Sequence, residues 1–287
     1  MGEIDVLGGA AGRIVLGDNL TVLASLPDDS IDLVYVDPPF NTGKRQTLRR
    51  LRTVRDDESG DRTGFGGRRY RSIQLGAQSY LDVHDDYLDF LEPRLVEIRR
   101  ALRPTGSFYL HLDYREVHYA KVLCDAIFGR ECFLNEVIWA YDYGARARTR
   151  WPAKHDNILV YVKDPGRYWF DGEAVERIPY MAPGLVGPEK AARGKLPTDT
   201  WWQTIVPPGG KERTGYPTQK PVAVLRRIVS ASCPVGGVVA DFFSGSGTAG
   251  AAAVELGRRF LLVDSNPDAV AVMVRRLGGE GVEVVGE

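Results

Sequence analysis

A carboxylate followed by two prolines and an aromatic ring stands in the first quarter of the chain, as Asp37-Pro38-Pro39-Phe40. The two prolines fix φ and remove two N–H donors, so the segment is rigid and rich in hydrogen-bond acceptors. A planar ligand with an NH₂ group could donate to the Asp37 carboxylate and to the Pro38 carbonyl while its ring stacks on Phe40. The structural alternative is an Asp-Pro turn that only ends a strand.

A glycine-rich segment after an apolar run is the second group of residues suited to binding a ligand. Gly245-x-Gly247, with a third glycine three residues later, lets the backbone turn sharply beside a ligand. Asp264 lies 23 residues beyond Asp241 (264 − 241), a spacing that suits a carboxylate binding ribose hydroxyls. The segment predicts a nucleoside-containing cofactor, and the alternative is a simple strand–helix turn with Asp264 as a helix cap.

These two motifs must be positioned by strands and helices that alternate along the chain. Apolar runs predict strands at 14–16, 32–36, 107–112, 133–140, 157–162, 238–243, 260–263 and 282–285. Helical patterns cover 19–26, 80–102 with a kink or break at Pro93, 114–128, 220–232, 247–257 and 267–277. This alternation predicts an α/β fold with an open, doubly wound, mostly parallel sheet. Both motifs then lie at the carboxyl ends of strands, where such sheets bind ligands.

Composition limits the classes of protein that this chain can belong to. Its 287 residues include 37 Lys+Arg and 38 Asp+Glu, with 44% hydrophobic residues, so disordered and fibrous classes are excluded. The three cysteines are odd in number and form no C-x-x-C pair, which favours a reducing, cytoplasmic location. Because the four histidines are dispersed and no long apolar run occurs, we expect neither a metal site nor a membrane span.

Two insertions break the alternation. Residues 44–79 contain no long apolar run, and between Lys44 and Arg71 ten Lys/Arg face four Asp/Glu. Residues 164–219 are rich in Pro and Gly, contain Trp201 and Trp202, and show little periodicity. Both stretches exceed ordinary connection lengths, so we expect functional insertions.

The ordered motifs together resemble the S-adenosylmethionine-dependent DNA amino-methyltransferases. Beyond the two motifs, the resemblance rests on Gly17–Asn19, Leu26–Leu33, Thr214–Pro221 and Leu256–Arg259. The order of motifs is similar to the beta group, in which the target-amine motif precedes the cofactor motif. The resemblance implies a Rossmann-like methyltransferase fold with circularly permuted motif order and inserted target-recognition segments.

The resemblance also implies roles for individual residues. It gives Asp37, Pro38, Pro39 and Phe40 the role of holding a flipped-out base. It assigns to the cofactor Asp18, Thr218, Lys220, Asp241, Phe243, Gly245, Gly247 and Asp264. It divides the chain into a catalytic half at 1–163, a target-recognition insertion at 164–213 and a cofactor-binding half at 214–287.

Arginines supply the expected contacts with double-stranded DNA. The basic insertion predicts a phosphate-contacting loop that is disordered until DNA binds, and the alternative is a solvated charged loop. The predicted DNA-binding residues are Arg49, Arg50, Arg52, Arg55, Arg68, Arg69, Arg71, Arg146 and Arg148. A cognate restriction endonuclease and a second copy of the chain are further expected partners.

The resemblance therefore implies an adenine-specific DNA methyltransferase that transfers a methyl group from S-adenosylmethionine to adenine N6. The nearest alternative is methylation of cytosine N4, which in the similar family more often accompanies Ser at the position of Asp37. An NAD(P)-dependent oxidoreductase and a catalytically silent DNA-binding module are alternatives from other classes. His111 and His155 are expected to be structural.

Overall fold

The structure, a computed structural model, describes residues 5–39, 44–55, 62–63, 69–82, 87–142, 147–207 and 209–286. The strands in these ranges are β1 (Gly12–Leu16), β2 (Ile31–Val36), β3 (Lys44–Arg55), β4 (Arg62–Thr63), β5 (Arg69–Asp82), β6 (Leu102–Leu112), β7 (Phe133–Ala140), β8 (His155–Val162), β9 (Thr200–Trp202), β10 (Val238–Asp241), β11 (Arg259–Asp264) and β12 (Val282–Gly286). The helices are α1 (Asn19–Ser25), α2 (Tyr87–Ala101), α3 (Val117–Phe128), α4 (Pro188–Arg193), α5 (Val222–Ser232), α6 (Thr248–Glu255) and α7 (Pro267–Leu277). Of the helices found there, none has the length and hydropathy that a membrane crossing requires.

Nine of these strands form one sheet in the order β12-β1-β11-β10-β2-β6-β8-β7-β9. Neighbours from β12 to β6 are parallel, β8 is antiparallel to β6 and β7, and β9 is parallel to β7. Strand β2 pairs with β10, with Val34 opposite Ala240. Because neighbouring parallel strands end at the same edge of a sheet, this pairing brings the two sequence motifs together.

Both faces of the sheet are covered, which is why its central strands are almost continuously apolar. All six residues of β2 are buried. Val34 and Val36 pack into a core with residues of α1, α2 and α3, whereas Leu33 and Tyr35 pack into a second core with residues of α5, α6 and α7. Successive side chains of a strand point to opposite faces, so one apolar strand serves two cores. The prediction of a doubly wound, mostly parallel α/β sheet is confirmed.

The prediction of an irregular loop at 44–79 is wrong for the residues that the structure describes there, whereas disorder before DNA binding stays a prediction. Strands β3 and β5 pair antiparallel from Lys44 opposite Asp82 to Arg55 opposite Tyr70, and β4 joins β5. Arginines alternate in this segment with residues of high strand propensity, such as Thr53 and Val54. A search for long apolar runs misses such a strand pair because its strands need no continuous hydrophobic face.

Two smaller differences concern α2 and the second insertion. Helix α2 begins at Tyr87, not at residue 80, and continues through Pro93 without a break. The segment 164–213 contributes β9 to the sheet edge, where Trp201 lies opposite Trp139 of β7. Trp201 packs against the core of the α5 face, whereas Trp202 is 75% exposed.

Candidate active site

The carboxyl end of β2 presents Asp37 and Pro38 at the edge of a cavity of about 430 Å³. The Asp37 side chain is largely enclosed, and its Oδ2 accepts a hydrogen bond from the Lys220 ammonium. The other oxygen, Oδ1, is buried and forms no hydrogen bond with any residue that the structure describes. A buried acceptor without a partner is costly in a native protein, so it marks the place where a donor of a ligand can bind. Phe40 lies outside the described residues.

The neighbouring strand β10 ends in the glycine turn. Gly245 and Gly247 have φ of +49° and +73°, values that side chains with a Cβ rarely adopt. A Cβ on Gly247 would lie 2.9 Å from Cγ of Met273, and one on Gly245 would lie 3.0 Å from Cε1 of Tyr216. Ser244 closes the turn because its Oγ donates to the Asp241 carbonyl at 2.7 Å. A Cβ at either position would press on a neighbouring side chain, so the turn requires glycine at both positions.

Two carboxylates tie this turn to the sheet. Asp241 is buried, its Oδ1 accepts from Phe243 N at 2.9 Å, and burial raises its pKa well above the usual range. Asp264 accepts from Gly245 N at 2.8 Å and from Asn266 N at 2.9 Å, while desolvation raises its pKa. The N-cap of α7 is Asn266. The alternative interpretation of Asp264 as a helix cap is therefore wrong.

A polar wall from α1 and α2 closes the side of the cavity near the glycine turn. Asn19 Nδ2 donates to the Phe242 carbonyl at 3.0 Å, and Arg94 Nε donates to Asn19 Oδ1 at 2.8 Å. The Arg94 guanidinium lies 3.9 Å from the centroid of the Phe90 ring, and burial lowers its pKa. Asp18 caps α1 through Thr21 N at 2.9 Å and also lines the cavity.

The segment between β9 and α5 forms the remaining wall. Gln219 holds it in shape: its Oε1 accepts from Thr214 N at 2.8 Å and its Nε2 donates to the Glu212 carbonyl at 2.8 Å. Thr218 adopts a φ of +60°, lies exposed and lines the cavity. The resemblance expected Lys220 beside the cofactor, whereas the structure pairs its ammonium with Asp37.

The structure thus gathers most of the sequence-predicted residues in one cavity and leaves others elsewhere. The lining includes Asp18, Asp37, Pro38, Pro39, Thr218, Lys220, Asp241, Phe243, Gly245 and Asp264. Gly247 supports the turn from behind. Sequence reasoning missed Phe90 and Arg94, for which the only local signal is the helical spacing of an aromatic residue and an arginine, and it gave no role to Asn19.

Most of the predicted DNA-binding arginines belong to the basic insertion. Arg49, Arg50, Arg52 and Arg55 lie on β3, Arg69 and Arg71 lie on β5, and Arg148 is exposed. Arg68 and Arg146 lie outside the described residues. The role of all nine in DNA binding stays a prediction.

A buried hydrogen-bonded chain lies behind the end of β2. Tyr35, which lines the cavity, bonds through its hydroxyl to His111 Nδ1 at 2.7 Å. His111 Nε2 lies 3.2 Å from Asp156 Oδ2, and the Tyr141 hydroxyl donates to Asp156 Oδ1 at 2.9 Å. Burial raises the pKa of Tyr35 well above its usual value. Across the described ranges, no three His, Cys, Asp or Glu side chains cluster as metal ligands.

A doubly wound sheet with a glycine turn beside an acceptor-rich strand end is typical of enzymes that bind a nucleoside-containing ligand. Comparison with known proteins gives the family: the chain belongs to the N6/N4 DNA methylase family, whose model, described as DNA methylase, matches residues 31–275. This membership excludes the oxidoreductase alternative.

Individual relatives are consistent with this family over nearly the whole chain. The chain is 30% identical over 278 residues to the DNA adenine methyltransferase YhdJ of Escherichia coli K12, covering 94% of this chain and 84% of that protein. It is 28% identical over 281 residues to the type II methyltransferase M.ScaI of Streptomyces caespitosus, covering 92% and 80%. The fold resembles that of the PvuII DNA methyltransferase, described as cytosine-N4-specific, with a TM-score of 0.62 at 18% identity over 96% and 91% of the two chains.

Proposed function

We propose that this protein transfers a methyl group from S-adenosylmethionine to the N6 amino group of an adenine flipped out of double-stranded DNA. The observation that carries the proposal is the buried Oδ1 of Asp37, an acceptor without a partner among the described residues, on the same cavity as the glycine turn. One ligand with a donated N–H and a second ligand with a nucleoside can therefore meet there.

The cavity walls fit S-adenosylmethionine. Gly245 lines the cavity as bare backbone, which lets a ligand approach closely, and a Cβ on Gly247 would crowd Met273. Asp18 and Asp264 offer carboxylate oxygens for hydroxyl or amino donors, and the Phe243 ring offers an apolar surface. When bound, S-adenosylmethionine supplies an electrophilic methyl group on a positively charged sulfur.

The residues at the end of β2 act on the amine. The lone pair of adenine N6 is delocalised into the ring, which makes the amine a poor nucleophile. Asp37 Oδ1 and the Pro38 carbonyl each accept a hydrogen bond from one N–H of the amine, which favours a pyramidal nitrogen. The amine would take the methyl group that the cofactor supplies, with the C–S electron pair left on the departing thioether, and Asp37 and water would take the surplus proton. Positioning and electrostatics supply the acceleration.

Adenine is favoured over cytosine by two observations. The residue at the amine corner is Asp37, and the resemblance described above associates this residue with adenine more often than with cytosine. YhdJ, the adenine methyltransferase cited above, is similar over nearly the whole chain. Cytosine N4 is the second candidate because the PvuII enzyme with a similar fold is described as specific for it.

We propose that the arginines of the basic insertion bind DNA. The arginines of β3 and β5 contact phosphates and set affinity and salt dependence more than sequence choice. The segment 164–213 forms the target-recognition region. Flipping the base costs a few kcal/mol of unstacking, which contacts at the amine corner offset in part.

Nucleoside analysis tests the proposed function. The purified protein is incubated with S-adenosylmethionine and unmethylated genomic DNA, the DNA is digested to nucleosides, and the nucleosides are separated and weighed. We expect N6-methyladenine. N4-methylcytosine would overturn the base assignment, and the absence of both products with intact cofactor binding would overturn the proposed activity on DNA.

A further inference from the structure

Lys220 lies between two parts of the cavity. The amine corner contains Asp37 and Pro38 at the end of β2, and the cofactor corner is the glycine turn after β10. The Lys220 side chain is only 10% exposed, and its ammonium contacts Asp37 Oδ2. The two residues are 183 positions apart in the sequence, so only the folded sheet brings them together. A buried ammonium needs a compensating charge, and Asp37, itself only 17% exposed, supplies it.

The backbone of Lys220 is anchored on the opposite corner. Thr248, the first residue of α6, donates from Oγ1 to the Lys220 carbonyl at 3.2 Å. The next residue, Pro221, has its φ fixed near −64° and precedes α5. The chain before it is held by the Gln219 side chain. The backbone of Lys220 is therefore held on the cofactor side of the cavity, and its side chain extends to Asp37.

This arrangement gives the two oxygens of Asp37 different tasks. Oδ2 is occupied by Lys220, whereas Oδ1 is buried without a partner among the described residues. A carboxylate fixed through one oxygen cannot rotate the other away from its direction. An acceptor that is held before the ligand arrives orients an amine at little entropic cost, and errors of about 1 Å at such a site cost about 100-fold in rate.

We propose that Lys220 is a positioning residue for Asp37: its ammonium holds Oδ2 so that Oδ1 is aimed at the target amine. This role differs from the cofactor contact that the resemblance gives to the same lysine. The inference rests on the proposed function, because it concerns the amine corner of the same reaction.

The two roles predict different effects of removing the lysine. Loss of a positioning residue lowers the methylation rate, whereas loss of a cofactor contact weakens cofactor binding. Lys220→Met is expected to lower the single-turnover methylation rate at saturating S-adenosylmethionine by about 100-fold. The Kd for S-adenosylmethionine, measured by calorimetry, is expected to change less than about threefold, since in this role the Lys220 ammonium acts on Asp37. Lys220→Arg is expected to recover at least about tenfold of the lost rate because it restores a cation beside Oδ2.

Two further variants separate positioning from a general loss of structure. Lys121→Met removes a lysine that pairs with Asp125 on α3 and does not line the cavity, and it is expected to leave the rate unchanged. In a double-mutant cycle with Asp37→Asn, the second substitution is expected to add less than about threefold, because the group that Lys220 positions is already changed.

The outcomes distinguish the inference from the proposed function. A Lys220→Met protein that binds S-adenosylmethionine much more weakly, yet reaches the wild-type rate at saturation, would make Lys220 a cofactor ligand and overturn the inference. Equal loss in Lys220→Met with and without Asp37→Asn would also overturn it. A wild-type protein that methylates no nucleoside refutes the proposed function instead, and with it the inference.

Discussion

The ends of β2 and β10 are neighbours at one edge of the sheet, and each carries an aspartate, yet the two aspartates are treated differently. Asp37 keeps one buried oxygen without a partner among the described residues and pairs the other with a lysine. Asp241 is buried, bonded to the backbone of its own turn, and has a raised pKa because of its burial. The same residue type therefore serves chemistry at one strand end and backbone shape at the next.

The segments that follow the two strand ends also differ. Beyond Pro39, the next described segments are the arginine-rich strands β3 and β5. Gly247, in contrast, is followed directly by α6, whose small residues are largely buried. One corner is thus next to a basic segment, and the other is packed into the core. Substitutions at the first corner should change catalysis and DNA binding, and substitutions at the second should change stability.

The largest expected effect is at the first corner. Asp37→Ala is expected to lower the methylation rate by about 1,000-fold, because it removes the acceptor for the target amine. Calorimetric binding of S-adenosylmethionine is expected to persist, since the cofactor turn is untouched. A variant that methylates DNA at a near-normal rate would remove the distinction between the two aspartates.

The basic segment gives the next effect. Replacing Arg49, Arg52 and Arg71 together with Gln is expected to flatten the slope of log affinity against log salt by nearly three, at about 0.9 per lost phosphate contact. Fluorescence anisotropy with a labelled duplex measures the slope. The matched control replaces three exposed arginines on other surfaces, Arg99, Arg130 and Arg275. Equal slopes for the two triple variants would contradict phosphate binding by this segment.

A substitution at Gly247 tests whether the backbone conformation of the turn after β10 contributes to stability. Gly247→Ala is expected to lower the free energy of unfolding by about 1–3 kcal/mol, because φ is +73° and the added Cβ would lie 2.9 Å from Met273. Urea denaturation measures this loss. Gly184→Ala is the control, since no atom of the described residues that surround it lies within 4 Å of its added Cβ. Similar losses in both variants would show that crowding at the turn is unimportant.

The smallest expected effect is a pH dependence at Asp241. Its pKa is raised by burial, so the unfolded chain releases this proton at a lower pH than the folded one. Stability from this group is therefore present below the unfolded value of 3.8 and is lost as pH rises towards the folded pKa. We expect Asp241→Asn to gain stability over the wild type as pH rises above 3.8. A difference between the two proteins that stays constant with pH would contradict this.

Sequence patterns predict the parts of the site that depend on local chemistry. The apolar run of β2, the two prolines after it and the glycines after β10 each specify their conformation within a few residues. The pairing of Val34 with Ala240 follows from parallel topology, and the order of motifs could be read through the family resemblance. For these reasons the sheet and the cavity edge were predictable.

Contacts between distant segments were not predictable in the same way. The link from Lys220 to Asp37 depends on a side-chain direction that no spacing encodes. The bond from Arg94 to Asn19 likewise joins two helices. The strands β3 and β5 were missed for another reason, since alternating arginine and strand-forming residues lack the apolar run on which the strand prediction relied.

The pairing of β2 with β10 has a consequence for how the chain is made. Val34 and Ala240 are 206 residues apart (240 − 34), so a ribosome working at about 5–20 residues per second needs about 10–40 s to produce the second partner after the first. During that time β2 lacks the neighbour that completes its sheet. We expect the central sheet to close only late in synthesis, with the emerging amino-terminal half a natural client for chaperones that protect unpaired strands.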